Sequence, residues 1–479
     1  MFNRILFICL LFLVGNSVMS GQDKNLPISY EESLELLKEH NKGIQIARKE
    51  VDIAKSEHGR INSFWYPNIS ATGAYMHMSN KIEVKEPLST VTNPAKDFIH
   101  SIIPDDQLIS AILDKIGSYS LTFPLMNQDL TSIDANVVWP LFTGGKRLFA
   151  NKIGKSMVEI ARYNEGQVIA LSQVALVDTY FALRLGQKVV EVRKETFEAF
   201  AMQYADALRL EEEGLINKAD RLVVQVGMKE AQREYEAARK EYGVAQQAFK
   251  SLIPIHAAEE VVPVTSLFIT DSLPSVLYFK SILPGNNYLV NQLRLQEQMA
   301  KYDGNIAKGG YAPDIALIGK QNLYAHGVSK YLMPRTMIGV GFTWNIFNGL
   351  DREKKISQAR MAAHTLSLGR EKAIDELLVQ IDQSYTQLQI ALDNVQALNP
   401  TIELSRELLR MRRKAFAEGM ATSTEVVDAQ VALSKVKIAY LLAYYQFDTA
   451  LMNLLSTCGI PEEFVRFKES GKTEDFIFE

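Results

Sequence analysis

The chain has 479 residues, 47% of them hydrophobic, enough for a large core and for two or three domains. A formal net charge of -4 excludes the strongly basic face that nucleic-acid binding requires. With only two cysteines, Cys9 and Cys458, an internal disulfide framework is excluded as well, and stability must come from packing or oligomerisation.

Arg4, the apolar run Ile5 to Val14 and the small residues ending near Ser20 read as a secretory signal over 1–20, too short to span a membrane. No later stretch offers about 20 consecutive apolar residues, so helical membrane spans are not expected. From Ile28 to Ser63, apolar residues spaced by three and four (Leu34, Leu37, Ile44, Ala47, Val51, Ala54) predict helix. Pro67 stops it, and alternation at Ile69, Ala71, Gly73 and Tyr75 predicts a strand over 67–78. Residues 80–130 read as a large surface loop with its own prolines and with room for a short helix, holding an apolar stretch from Leu108 to Ile116. A second strand, 132–142, places Ile133, Ala135, Val137, Trp139 and Leu141 on one face. Then come a long helix over 151–212 and a return helix over 217–252, which complete a first half running from 21 to 254.

An irregular connecting segment is expected over 255–283, followed by a second half over 284–458. That half holds a weaker opening helix, strands over 313–324 and 336–347, a long helix over 351–418 and a return helix over 422–456. The second of its strands puts Ile338, Val340, Phe342, Trp344 and Ile346 on one face. Pro400 predicts a kink in the long helix, and 459–479 reads as irregular.

The halves repeat one another at an offset of 205 residues. Trp139-Pro140-Leu141-Phe142-Thr143-Gly144-Gly145 returns as Trp344-Asn345-Ile346-Phe347-Asn348-Gly349-Leu350. Glu213-Gly214 with Asp220 and Gln225 returns as Glu418-Gly419 with Glu425 and Gln430. Pro67 and Pro313 are offset by 246 instead, so the first half carries about 41 extra residues between its strands. Strands of about ten residues with one apolar face and an aromatic near one end suit a lipid-facing barrel, and equally a half-buried soluble sheet. Four strands cannot close a barrel, which needs about eight, so membrane-spanning strands here require other copies of the chain. Helices of about 60 residues, roughly 90 Å at 1.5 Å per residue, exceed what one globular domain uses and point to a bundle or coiled coil.

These motifs together resemble the TolC-type outer-membrane efflux proteins over essentially the whole mature length. The resemblance rests on the strand-to-helix signature Pro140 to Arg147 with its echo Ile346 to Gly349, and on the helix-tip signature around Gly214 and Gly419. It implies a mostly α fold with a membrane β-barrel portion: two tandem repeats, each of two strands plus a long helical hairpin. In a homotrimer they would build a 12-stranded β-barrel continued by a periplasmic α-helical barrel. It further implies a passive exit duct of a tripartite efflux pump or type I secretion system in the outer membrane of a Gram-negative bacterium. The implied partners are a periplasmic adaptor (membrane fusion protein) and an inner-membrane transporter.

By position, Glu425 and Asp428 match the acidic rings at that family's periplasmic entrance, and three copies of each would raise some carboxylate pKa values. Gly214, Leu215, Ile216, Gly419, Met420 and Ala421 are the adaptor-docking candidates, although Gly419-Met420-Ala421 lacks the family's tip arginine. Val137, Trp139, Leu141, Val340, Phe342, Trp344 and Ile346 are the expected lipid-facing residues. No catalytic, cofactor or metal site is expected. The seven histidines (40, 58, 77, 100, 256, 326, 364) lack metal-ligand spacing, and Gly144-Gly145 lacks the Gly-Lys-Ser/Thr ending of a phosphate loop. The alternative is a periplasmic coiled-coil adaptor or scaffold, against which the alternating strands with Trp139 and Trp344 stand.

Overall fold

A computed structural model describes residues 25–103, 107–253, 255, 260–328 and 334–474; the expected signal over 1–20 lies outside the described residues. In chain order, β1 (Asn25–Ile28) leads to α1 (Tyr30–His40) and α2 (Lys42–Asn62). Next come β2 (Asn68–His77), β3 (Ile82–Pro87), α3 (Ser89–Ile102), α4 (Gln107–Gly117) and β4 (Ser120–Thr143). The first hairpin is α5 (Lys146–Glu212) with α6 (Lys218–Leu252), followed by β5 (Glu260–Pro263) and β6 (Phe268–Ile269). Then α7 (Val276–Asn286) and α8 (Tyr288–Gly309) precede β7 (Asp314–Val328) and β8 (Thr336–Thr343). The second hairpin is α9 (Asp351–Ala417) with α10 (Ser423–Cys458), and α11 (Glu463–Glu469) and β9 (Lys472–Thr473) end the described chain.

The chain divides into two compact units. The larger (1–54, 158–297 and 365–479) is helical and is held by an aromatic core. Tyr30, Tyr180, Phe181, Phe249, Phe268, Phe447 and Phe464 are all essentially without solvent contact. Tyr30 stacks on Phe181 at 5.7 Å, and Phe268 meets Phe464 edge-on at 5.5 Å. Each such ring stabilises by about 1.5–3 kcal/mol through removal from water, with further gain from ring geometry. Polar tips inside the core are satisfied: the Tyr180 hydroxyl donates to the Ile28 carbonyl (2.9 Å) and accepts from the Thr265 amide (3.0 Å). This core explains why α5 contains one window apolar enough to cross a membrane by length and composition. Contrary to expectation such a window exists, and Leu176, Val177, Tyr180, Phe181 and Leu183 of that helix are buried in the core.

The segments expected to be irregular are ordered where described. β5 pairs in parallel with β1, β6 pairs with β9, and α7 and α11 flank them. Burial drives this order: Val261, Leu267, Phe268, Phe279 and Phe464 are all buried. Short apolar runs of this length carry too little periodicity to be told from loop in the sequence. The opening helix is two helices, broken at Asn41, whose backbone is extended. α1 begins with a capping box, the Ser29 side chain accepting from the Glu32 amide while the Glu32 carboxylate accepts from the Ser29 amide. α9 runs unbroken through Pro400.

The smaller unit (55–157 and 298–364) contains an antiparallel sheet in the order β2-β4-β7-β8, so β2 and β8 are its edges. Asn68 faces Val138, Trp139 faces Leu317 and Leu317 faces Val340. The 80–130 segment is not a loop, as expected from its prolines, but β3, α3, α4 and a twelve-residue extension of the second strand back to Ser120. β3 pairs with that extension from Ile82↔Met126 to Pro87↔Ser120. Pro87 ends β3, Pro124 lies within β4 opposite Glu83, and Pro94 falls in the second turn of α3, where it removes the N–H that would bond the Thr90 carbonyl.

Asp448 on α10 is wholly buried and accepts from the Phe268 amide at 3.4 Å, and burial pushes its carboxyl well above the usual range. A carboxyl raised in the folded state stabilises below the ordinary Asp pKa, and that contribution is lost as pH rises through the raised value. Asp448→Asn keeps an acceptor without a charge. It is expected to flatten the fall of the thermal midpoint as pH rises above the ordinary Asp range; an unchanged slope would rule out Asp448 as its source.

Candidate functional site: helical tips and exposed strands

The tips of both hairpins are built alike from local rules. Gly214 and Gly419 adopt left-handed backbone (φ 75° and 72°), which glycine takes without strain. The amides that follow then bond backwards across the helix end: Leu215 to the Leu210 carbonyl and Met420 to the Ala415 carbonyl, both at 2.8 Å. Asn217 and Thr422 cap the return helices, their side chains accepting from the Asp220 and Glu425 amides. Leu215 and Met420 are left 66% and 72% exposed, large apolar side chains with nothing covering them in the single chain. A cleft of about 600 Å³ between the two tips is lined by Leu210, Ile216, Asn217, Phe416, Ala421 and Thr422. The six expected tip residues therefore lie in or beside one cleft.

The two expected acids differ in kind. Glu425 completes a capping box: its Oε2 accepts from the Thr422 amide at 2.9 Å, and its Oε1 accepts from Arg412 Nη1 at 2.9 Å. The Thr422 amide, and then the Arg412 charge, hold its carboxyl below the usual Glu range. Within one chain this is the opposite of the rise expected from ring crowding. Asp428, one turn on, is exposed. Arg412 and Arg413 were missed as site residues; Arg413 bonds Gln430 at 2.7 Å, so the tip lacking its loop arginine has two on the descending helix instead. An apolar groove of about 650 Å³ near the tips was also missed, lined among others by Phe200, Leu222, Val226 and Val427. Its residues are scattered over α5, α6 and α10, which no local pattern brings together.

In the smaller unit, Ile338, Val340 and Phe342 of β8 are 77%, 66% and 74% exposed, and Trp139 and Leu141 of β4 are exposed too, while Val137 is half-buried. Trp344 and Ile346 are exposed but do not belong to the strand, correcting the expected range 336–347. The reason is the partner: β7 begins at Asp314 opposite Thr343, so residues beyond 343 have no ladder to join. Their carbonyls go to an arginine instead. Arg352 Nη1 donates to Asn345 and Gly310, Nη2 donates to Ile346, and the guanidinium lies 3.9 Å over the Tyr311 ring. The Trp344 indole donates to the Tyr311 carbonyl at 3.1 Å.

The first half repeats this joint with two of the three arginine bonds. Arg147 donates to the carbonyls of Phe64 and Leu141 and lies 4.4 Å over Trp65, whose carbonyl accepts from the Trp139 indole at 3.0 Å. Arg147 stood in the quoted signature, and its recurrence at Arg352 was the signal that could have found the pair. Gly144 (φ 58°) shapes the same joint, where an added Cβ would lie 2.1 Å from the Gly309 carbonyl oxygen.

Comparison with known proteins agrees with this geometry. Residues 282–459 match the family described as outer membrane efflux protein. The alkaline protease secretion protein AprF of Pseudomonas aeruginosa is 21% identical over 300 residues, covering 60% of this chain and 62% of AprF. The chain thus spans less than two thirds of that curated relative. The crystal structure of CusC, a study of transmembrane channel formation, superposes with a TM-score of 0.71 at 14% identity over 92% of this chain and 95% of that one. VceC of Vibrio cholerae gives 0.68 at 13% identity, over 90% and 96%. The outer-membrane channel CmeC of Campylobacter jejuni gives 0.68 at 12% identity, over 92% and 89%. The fold, with its long helices, is that of the outer-membrane channels. The second half, over 282–459, carries the sequence of the outer membrane efflux protein family.

Two substitutions test the local rules. Gly214→Ala meets open space and is expected to lose only the left-handed backbone penalty, about 1 kcal/mol. Gly144→Ala adds the clash with Gly309 and should lower the thermal midpoint further; equal shifts would refute the close approach. At the second tip, Thr422→Ala should cost about 1 kcal/mol, seen as faster amide exchange across 418–426. Because Glu425 is depressed, its support is present above the usual Glu range and lost as pH falls through the folded value. Acid should therefore speed exchange at this tip in the wild type and add little in Glu425→Gln.

Proposed function

We propose that this chain is the outer-membrane exit duct of a tripartite efflux pump or type I secretion system, conducting substrate passively to the exterior of a Gram-negative cell. The observation that carries this reading is the antiparallel path β2-β4-β7-β8 with exposed Ile338, Val340 and Phe342, joined by chain continuity to two 67-residue helices. In hydrocarbon only a closed barrel leaves no strand edge unpaired, and four strands are too few to close. Three copies supply twelve, with the β2 edge of one copy pairing with the β8 edge of the next. The apolar residues Val137, Trp139, Leu141, Val340 and Phe342 then face lipid, and Trp344 and Ile346, beyond the strand, mark the periplasmic interface with Trp139.

The helices continue the duct into the periplasm, and the tips around Gly214 and Gly419 form its gate. A periplasmic adaptor engages the exposed Leu215 and Met420 and the groove of Leu222, Val226 and Val427, and an inner-membrane transporter supplies the energy. Efflux and secretion share this architecture, and the tip chemistry favours neither cargo.

Three copies of Glu425 and Asp428 ring the entrance. Glu425 is already engaged by Arg412 and the Thr422 cap, so the free negative field comes chiefly from exposed Asp428. Single-channel recording on the detergent-purified protein in planar bilayers separates the two roles. Asp428→Ala should weaken cation selectivity with little change in conductance, whereas Glu425→Ala, which unties Arg412, should raise conductance. Channels indifferent to both changes would remove these acids from the gate, and a folded protein that never conducts would overturn the duct.

A further inference from the structure

The inserted segment between β3 and β4 exposes apolar surface that the duct itself does not use. α3 and α4 pack through small and polar groups: buried Thr92, Gly117, whose added Cβ would lie 2.6 Å from the Thr92 hydroxyl, and the Lys96–Asp114 ion pair at 2.6 Å. Ile99 and Leu113 are partly buried, but the other bulky residues are exposed. Val91, Phe98 and Ile102 recur at spacings of seven and four along α3, and Leu108, Ile112 and Ile116 at four along α4. These six side chains are 43–74% exposed, and neither stripe lies on the face the helices turn to each other. Exposed apolar surface on this scale marks a contact.

We propose that this hairpin docks on the same hairpin of neighbouring copies, and that the assembled hairpins cap the outer exit of the duct. The inference rests on the multi-copy barrel proposed above. Three observations choose another copy over the lipid surface as occupant. First, a membrane strand needs about 9–11 residues. β4 supplies them over the stretch paired with β2, and Ser120 lies nine residues beyond Asp129, roughly 30 Å farther along the strand. The hairpin is attached at that far end, away from the apolar band. Second, helices that lie on membranes carry Lys and Arg on their polar face. Residues 88–119 hold Lys96 and Lys115 against Asp97, Asp105, Asp106 and Asp114, a net charge of -2 that anionic headgroups repel. Third, β2 and β3 flank the same side of β4, the side on which closure brings the next copy, so the hairpins meet at high effective concentration.

The test uses the full-length protein in detergent and in bilayers. Phe98→Cys, with a short bis-maleimide, is expected to yield covalent dimers; Cys458 is fully buried and contributes no background, which the wild type checks. The surface variant Phe98→Asp/Ile102→Asp/Leu108→Asp should raise single-channel conductance by about twofold or more as the cap opens. Channels that conduct normally, do not crosslink at position 98 and are unmoved by the triple variant overturn the cap but leave the duct standing. Quenching of a Phe98→Cys fluorophore by a lipid-phase quencher overturns it in favour of lipid contact. Absence of any conducting assembly instead strikes the duct reading beneath it.

Discussion

An antiparallel sheet of four strands has two edges, and hydrocarbon tolerates neither of them bare. Each unpaired backbone group on β2 or β8 would cost several kcal/mol in the absence of water, far more than any side-chain contact in the sheet returns. In the proposed barrel, the exposed stripe on β8 and the open ladders beside it are one problem, met by closure with further copies. The rest of the proposed architecture depends on it. A three-fold barrel fixes which residues meet at the tips, makes two acids per chain into rings, and gathers the α3–α4 hairpins over one exit.

The joint between strand and helix shows how a sequence repeat becomes a repeated device. A strand that stops must dispose of its last carbonyls, and a helix that starts leaves its own first amides open. Arg147 and Arg352 meet the first need with a guanidinium that spans several carbonyls at once while lying over an aromatic ring, a geometry lysine lacks. The tryptophans close the other side by donating to the carbonyls of Trp65 and Tyr311. Both joints turn on left-handed backbone. The first uses Gly144 and Gly145, while the second uses Gly349 and then Leu350, whose φ of 64° is strained for a residue with a Cβ. That strain is held by the neighbouring arginine contacts, so the second joint depends on them more than the first.

What the sequence made legible follows from the range of the physics involved. Helix ends are decided within five or six residues, so Gly214, Gly419, Asn217 and Thr422 could be read directly. Strand alternation is equally local, and β2 and the part of β4 that pairs with it lie close to their expected ranges. The end of β8 was not legible, because it is set by where β7 begins, thirty residues away. The same holds for β5, β6 and α11, which exist because a core of distant aromatics receives them. The inserted hairpin was obscured differently: Pro87 and Pro94 are compatible with a strand end and an early helical turn, yet read as loop.

Glu425 shows where positional analogy and local chemistry diverge. A glutamate three residues after a threonine cap is held by the backbone whatever the assembly around it, and Arg412 adds a second claim on the same carboxylate. Gathering three copies into a ring would push its pKa upward by repulsion, while the cap and the arginine pull it down. Distance decides between these terms. The cap and arginine contacts are both 2.9 Å, and the opposing charges of a ring are separated by a water-filled bore that screens them. In the single chain the local contacts pull the Glu425 carboxyl below the usual Glu range and tie α9 to the start of α10.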